Sequence, residues 1–344
     1  MADPIRYPFG DAPEPGSVTE VADGILWIRM PMPMRLDHVN CYALRDADGW
    51  TIIDTGFDTQ GQRDVWLAAM AGPMSGAPIA RVLVTHHHPD HIGLAGWFVA
   101  EHGAELITTR TSYLMARMLL LDVQEVPAPE TLAFWRGAGM DAEVYQKRLA
   151  ERPFNFADAI TPLPLGYKRI QEGETIHLAG RNWAVRMGNG HAPEHATLWS
   201  EDGKIVLGGD QLLASISPNV GVHATEPGAD PLGEWLEACV RLGAFAVEGQ
   251  LVLPGHKLPF TGLPTRVRQL IDNHHSALKR LHKFLETPAT SAECFSTLFK
   301  RNIGDGEYGL ALVEAVAHCN HLLAEGKVSR RRRASDDAWL WQAI

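Results

Sequence analysis

Four side chains able to hold a metal ion fall within six residues: His86, His88, Asp90 and His91, in the run His86-His87-His88-Pro89-Asp90-His91. Imidazole and carboxylate are the donors that hold zinc-like divalent ions in hydrolytic sites. So many groups in so short a run can rarely all converge on one ion. On an extended loop His86, His88 and Asp90 share one side and His91 turns to the other, an arrangement that suits two ions side by side. His87 then points away from them. A histidine tract alone can bind metals adventitiously, but later parts of the chain add His191, Asp210 and His256 in matching contexts. No Gly-x-Ser-x-Gly elbow, P-loop or dinucleotide fingerprint occurs. The chemistry expected is therefore metal-supported and needs no serine or cysteine nucleophile.

The elements that must position these residues are legible on either side of them. Arg81-Val82-Leu83-Val84 is an apolar strand signal before the run, and Gly93 to Phe98 opens a helix after it. Asp210 and His256 follow the apolar runs Ile205-Val206-Leu207 and Leu251-Val252-Leu253, where an unpartnered polar group is costly. Strands are expected over Ile25–Met30, Val39–Leu44, Thr51–Ile53, Trp183–Arg186 and Ala196–Trp199, and helices over Gly61–Ala71 and Pro231–Leu242. Two halves of this style suggest two sheets packed face to face with helices outside. Chemistry in such folds sits at the C-terminal ends of strands.

Five short motifs, in order, carry a resemblance: Ile52-Ile53-Asp54-Thr55-Gly56, the His-x-His-x-Asp-His run, Gly190-His191-Ala192-Pro193-Glu194-His195, Gly208-Gly209-Asp210 and Pro254-Gly255-His256. From about Gly24 to His256 the chain resembles the metallo-β-lactamase superfamily, which implies an αββα sandwich of the α+β class. The resemblance implies that His86, His88 and His191 hold one ion and that Asp90, His91 and His256 hold the other. Asp210 would bridge both, together with a water or hydroxide. Zinc is the first candidate, with iron and manganese also suited to such ligands. Asp90 or Asp210 would handle the proton of the nucleophile, and Asp54 would support the ligands without touching an ion; His195 is not counted as a ligand and could support the ligands, face the substrate or pack. Many members have glycine where Glu194 stands; its side chain could lie on the turn's surface or hydrogen-bond a ligand. His88 stands where the flavodiiron oxygen reductases carry glutamate, and Asp210 where plasmid-borne zinc β-lactamases use cysteine. The pattern is closer to glyoxalase II, the lactonases and the thioester hydrolases.

Composition agrees with a globular enzyme: 45% hydrophobic and 21% charged residues. Cys41, Cys239, Cys294 and Cys319 are scattered with no Cys-x-x-Cys, which reads as free thiols of a reducing compartment. No apolar run reaches the roughly 20 residues of a membrane span, and the start lacks a leader's apolar core, so a cytoplasmic location is expected. The net charge of −10 disfavours nucleic acid.

Three parts are expected. Residues 1–17 are irregular. Residues 18–262 form the catalytic domain, with a helical insertion over about 110–167 that includes helices near 113–121, 129–137 and 142–151. Residues 263–344 form a winged-helix-like domain, with helices over 267–285, 292–300 and 309–325 and a terminal hairpin; it leaves a homodimer open. The insertion's Met115, Met118, Leu119, Phe134 and Trp135 would suit an acyl or aromatic substrate, and His223 could line the same cleft. The basic run Arg330–Arg333 could touch phosphates or lie solvated against Asp336 and Asp337. The leading expectation is a metal-dependent hydrolase of a thioester, lactone or other ester. The alternatives are a nuclease of the same fold and a non-enzymatic winged-helix regulator.

Overall fold

The computed structural model describes residues 4–14 and 16–344. In chain order, β1 (Val18–Ala22), β2 (Ile25–Pro31), β3 (His38–Asp46) and β4 (Gly49–Ile53) lead to α1 (Gln60–Ala71). Then come β5 (Ile79–Leu83), the one-turn α2 (Pro89–Ile92), α3 (Ala95–His102), β6 (Glu105–Thr108) and α4 (Arg110–Leu121). α5 (Pro129–Gly137) and α6 (Ala142–Ala150) precede β7 (Lys168–Arg169), β8 (Thr175–Leu178), β9 (Arg181–Gly188), β10 (His195–Ser200) and β11 (Ile205–Gly209). α7 (Pro231–Gly243), β12 (Leu251–Pro254), α8 (Leu263–Phe284), α9 (Phe295–Phe299) and α10 (Asp305–Ala324) follow, and β13 (Val328–Arg332) and β14 (Trp339–Ala343) close the chain.

The described residues divide into two compact units. The first comprises residues up to Val123, Asn155–Pro218 and Leu242–Val267. It holds a seven-stranded sheet, ordered β1 to β7, and a five-stranded sheet, ordered β12-β11-β10-β9-β8. Each is mixed: the chain meanders antiparallel through β1 to β4 and then runs parallel from β4 to β7, and β11 pairs parallel with β12. Alternation along the strands explains the layers. On β2 and β3, Ile25, Trp27, Tyr42 and Leu44 face the second sheet's Trp183, Val185, Leu198 and Leu207. Their neighbours Leu26, Ile28, Val39 and Cys41 pack instead against Trp66 of α1, Phe98 of α3 and Ala116 of α4. Strands buried on both faces carry few polar residues, which is why they read as apolar runs.

The second unit comprises Gln124–Phe154, Asn219–Arg241 and Arg268–Ile344. The segment expected as one insertion is thus divided: α4 stays in the first unit, and α5 and α6 belong to the second. Their apolar side chains explain it. Phe134, Trp135, Val144 and Tyr145 pack with Val222, Leu312 and Val316. Phe134 and Trp135 are accordingly half-buried against this core rather than free apolar surface. The helix expected over 292–300 is broken into a 3-10 turn, Ala292–Cys294, and α9. β13 and β14 form the expected antiparallel hairpin. In it Arg333 pairs with Asp336 and Arg332 with Asp337. All four cysteines are free and buried. Among the described residues no helix is long and apolar enough to cross a membrane.

Candidate metal centre

Every expected ligand lies in the first unit, at or just beyond a strand end. Thr85 to His88 follow β5, Asp210 follows β11, His256 follows β12, and His191 lies in the loop between β9 and β10. The His-x-His-x-Asp-His run is not an extended strip. His88 caps α2, and Asp90 and His91 sit within that single turn. The turn corrects the simple alternation: Asp90 is carried round to the side of His91 rather than that of His86 and His88. Three sets of donor atoms result, each within 4.8 Å of one another: His86, His88 and His191; Asp90, His91 and His256; and His86, His91 and Asp210. His87 belongs to none of them.

Asp210 stands between the first two sets. Its Oδ2 lies 3.4 Å from His191 Nε2 and 3.3 Å from His256 Nε2, and its Oδ1 lies 3.4 Å from His91 Nε2. Asp90 Oδ2 lies 3.3 Å from His256 Nε2. Backbone geometry makes this convergence possible. A Cβ on Gly255 would meet Asp210 Oδ1 at 2.3 Å, and Gly209 has a positive φ of 48°.

The buried atoms aimed inward fit a cationic occupant. His86 Nε2, His91 Nε2 and Asp210 Oδ1 make no hydrogen bond, although leaving such groups unsatisfied is expensive. Electrostatics point the same way. Burial pushes Asp210 up, but His256 and His91 outweigh it and hold the carboxyl well below its usual range. Burial likewise pushes His256 down, yet Asp210 and Asp90 raise it to about 10. His91 is raised for the same reason, burial being outweighed by Asp210, Asp90 and Asp54. Burial, reinforced by neighbouring imidazoles, pulls His86 and His88 well below the histidine range, which favours the neutral, ligating form. His88, Asp90 and His191 are the partly exposed members, so solvent reaches the site from their side.

Asp54 supports the ligands through hydrogen bonds. It adopts a left-handed φ of 57° just past β4. Its Oδ1 accepts the Thr85 amide at 2.8 Å, and its Oδ2 accepts both the Thr85 hydroxyl and His91 Nδ1 at 2.8 Å. A carboxylate only accepts, so the Thr85 hydroxyl donates to it and is left to accept from His86 Nδ1 at 3.0 Å. One carboxylate thus orients a ligand from each three-residue set. His195 is fully buried, stacks on His86 with centroids 4.5 Å apart, and accepts the Asp210 amide at Nε2. Burial, then His191, holds it down at about 3, so that nitrogen stays free to accept.

Glu194 also has a left-handed φ, of 48°, which accounts for glycine being suited to this place. Its carboxylate accepts the Thr111 amide at 2.8 Å, in the first turn of α4, rather than sitting on a ligand. The bond ties the His191 loop to the helix that carries Met115 and Met118, the latter 48% exposed. His223 lies in the second unit and is exposed, outside all three donor sets.

Several positioning residues escaped the sequence reading. His256 Nδ1 donates to the His38 carbonyl at 2.7 Å, which directs Nε2 at the carboxylates. Asn40 Nδ2 donates to the carbonyls of Pro254 and Lys257, at 3.0 and 2.7 Å, and the Tyr42 hydroxyl also donates to Pro254 at 2.8 Å. Strand β3 therefore clamps the loop carrying His256. The signal available was modest: Asn40 and Tyr42 are the polar side chains within the strand's apolar stretch Val39–Leu44.

Known proteins agree with this architecture. The family model described as Metallo-beta-lactamase superfamily matches residues 34–281, and the one described as Metallo-beta-lactamase-like, C-terminal domain matches residues 278–343. A probable metallo-hydrolase of Bacillus subtilis, YqjP, is 27% identical over 89% of this chain and 94% of its own. The crystal structure of a beta-lactamase domain protein from Burkholderia ambifaria is 34% identical, covers 99% of this chain and 98% of its own, and superposes with a TM-score of 0.90. A metallo-beta-lactamase family protein from Thermus thermophilus is 27% identical over 94% of this chain and 100% of its own, with a TM-score of 0.77. With its fold, its five strand-end motifs and its carboxylate–imidazole cluster in agreement, the chain belongs to the metallo-beta-lactamase superfamily.

Proposed function

We propose that the chain is a hydrolase that holds two divalent ions, zinc foremost with iron or manganese also suited, and cleaves a small carbonyl substrate: a thioester, lactone or other ester. The observation that carries this reading is the placement of Asp210 between two three-residue donor sets. His86, His88 and His191 would hold one ion, Asp90, His91 and His256 the other, and Asp210 would reach both. Divalent ions in such a site lower the pKa of water from 15.7 to about 7 and polarise the carbonyl under attack. The protein's own groups do the rest. Asp54 keeps the proton of His91 on Nδ1 and, through Thr85, that of His86, so both Nε2 atoms stay available. Asp90, the more exposed of the two carboxylates, takes the proton of the attacking water and delivers it to the leaving group. On the substrate side, Met115 and Met118 of α4, with the exposed Leu114 and Leu121, offer an apolar wall for an acyl chain.

The test is turnover of the metal-loaded protein on a panel of thioesters, lactones, β-lactams and phosphodiesters, with Asp90→Ala in parallel. Metal-dependent cleavage of a thioester or lactone, lost in the variant, is expected. Cleavage of phosphodiesters alone would contradict the carbonyl substrate, and a loaded protein inert on the whole panel would contradict the hydrolase.

A further inference from the structure

The second unit contains a cavity of about 380 Å³, within the range of about 300–1,000 Å³ of small-molecule sites. One wall is the apolar side of α5, with Phe134 and Gly137, and Val316 of α10 adds to it. The opposite wall is the terminal hairpin. Its register sets Arg330 beside Trp341 and Arg332 beside Trp339, so the four side chains share one face, while Arg331, opposite Leu340, points to the other. The Arg330 guanidinium lies 4.2 Å from the Trp339 ring centre and 5.2 Å from that of Trp341, and Arg332 lies 3.7 Å from Trp339. Trp341 is fixed by its indole N–H, which donates to Ser291 Oγ at 3.0 Å.

The charges of this wall are unequally met. Arg332 is held by the Asp337 carbonyl and by its carboxylate at 3.4 Å. Arg330 makes only its two ring contacts, and none of its guanidinium N–H groups has an acceptor among the described residues. A guanidinium that meets aromatic rings through its face keeps its N–H groups free in its own plane, the edge with which it binds carboxylate or phosphate. Glu130, in the first turn of α5, also lines the cavity and places a negative charge there. An occupant must therefore keep its anionic group on the hairpin side and offer an uncharged body to the rest. Gly137 lets α5 pack closely on the hairpin, since a Cβ there would meet Trp339 Cδ1 at 3.3 Å, so the open part of the cavity lies beside this contact.

We propose that this cavity binds a small organic anion with a flat apolar body, its carboxylate or phosphate on Arg330 and its body against the lining of Phe134, Val316 and Trp341. The assignment is independent of the metal centre and of the reaction proposed for it. Burial, then the neighbouring Arg332, holds Arg330 below the usual arginine range, a pressure that a bound anion relieves.

The experiment is calorimetric titration of the full chain with 2-naphthoate and with its uncharged analogue 2-naphthamide. For so small a probe a Kd of about 0.1–1 mM is expected for the acid. The amide should bind at least about tenfold more weakly, the worth of one charge-assisted hydrogen bond. Arg330→Gln should reduce the acid to the level of the amide, and Arg331→Gln should bind like the parent. Circular dichroism establishes that each variant is folded. Binding unaffected by Arg330→Gln would overturn the proposal and would place the carboxylate elsewhere, as on the metal centre. Equal affinity for acid and amide, or no binding of the acid at about 10 mM, would overturn it too.

Discussion

Asp54 supports the candidate metal centre without supplying a donor to it. It sits in a left-handed backbone conformation and accepts three hydrogen bonds, through which it orients His91 directly and His86 by way of Thr85. Replacing such a supporting carboxylate costs about 10–100-fold in metal affinity. Asp54→Asn should therefore weaken metal binding by about that factor with little change in fold, as read by chelator competition and circular dichroism; unchanged affinity would show that the imidazoles are oriented by packing alone. That these His and Asp residues crowd at strand ends was legible in the sequence, and the structure brings them together as donor sets that could hold a metal ion. Thr85 was not, since a threonine beside a histidine is ordinary until its hydroxyl is seen to join that histidine to Asp54. The pairing of Asp90 with His91 came only from the family resemblance and not from spacing, because a four-residue helix leaves no periodicity to read.

At the scale of elements, the structure explains which strands were readable. β2, β3 and β4 are buried on both sides and appear as apolar runs, whereas β1 is largely half-exposed and β7 has only two residues, both exposed. β6 and β8 are also short, with four residues each. The polar members of β3 do a different task. Asn40 lies more than two hundred residues from the carbonyls it binds, and no local pattern announces such a bond. Asn40→Ala would leave the Pro254 and Lys257 carbonyls without that donor, at a cost of about 1–3 kcal/mol. Chemical denaturation should show that loss, and metal analysis should show the site that includes His256 emptied before the other. A variant as stable as the parent, with both sites equally filled, would remove β3 from the account. The path of α5 and α6 was likewise beyond the sequence. Their amphipathic spacing shows that they bury a face, not which core receives it.

At the scale of the molecule, two units with separate cores respond to different conditions. In the second, Glu314 of α10 is tied to Asn219 Nδ2 at 2.9 Å, and burial raises its carboxyl to about 7. A carboxyl whose folded pKa exceeds its unfolded value binds its proton more tightly when folded. The stability it contributes is fully present below about pH 4.3 and is lost as pH rises to about 7. Glu314→Gln keeps an oxygen to accept from Asn219 but cannot ionise. The parent should lose about 1–3 kcal/mol between pH 5 and 8 that the variant retains, read as the difference between their denaturation midpoints. Parallel pH profiles would contradict this.

The central claim is that two donor sets sharing Asp210 hold two ions. It is tested most directly by counting metal in the purified protein after reconstitution and removal of excess ion, for the parent, His88→Ala and His256→Ala. The account predicts two ions per chain in the parent and one in each variant, with the survivor in the set left intact. A parent that holds no more than one ion, or that loses all metal with either substitution, would contradict it and reduce the cluster to a single site.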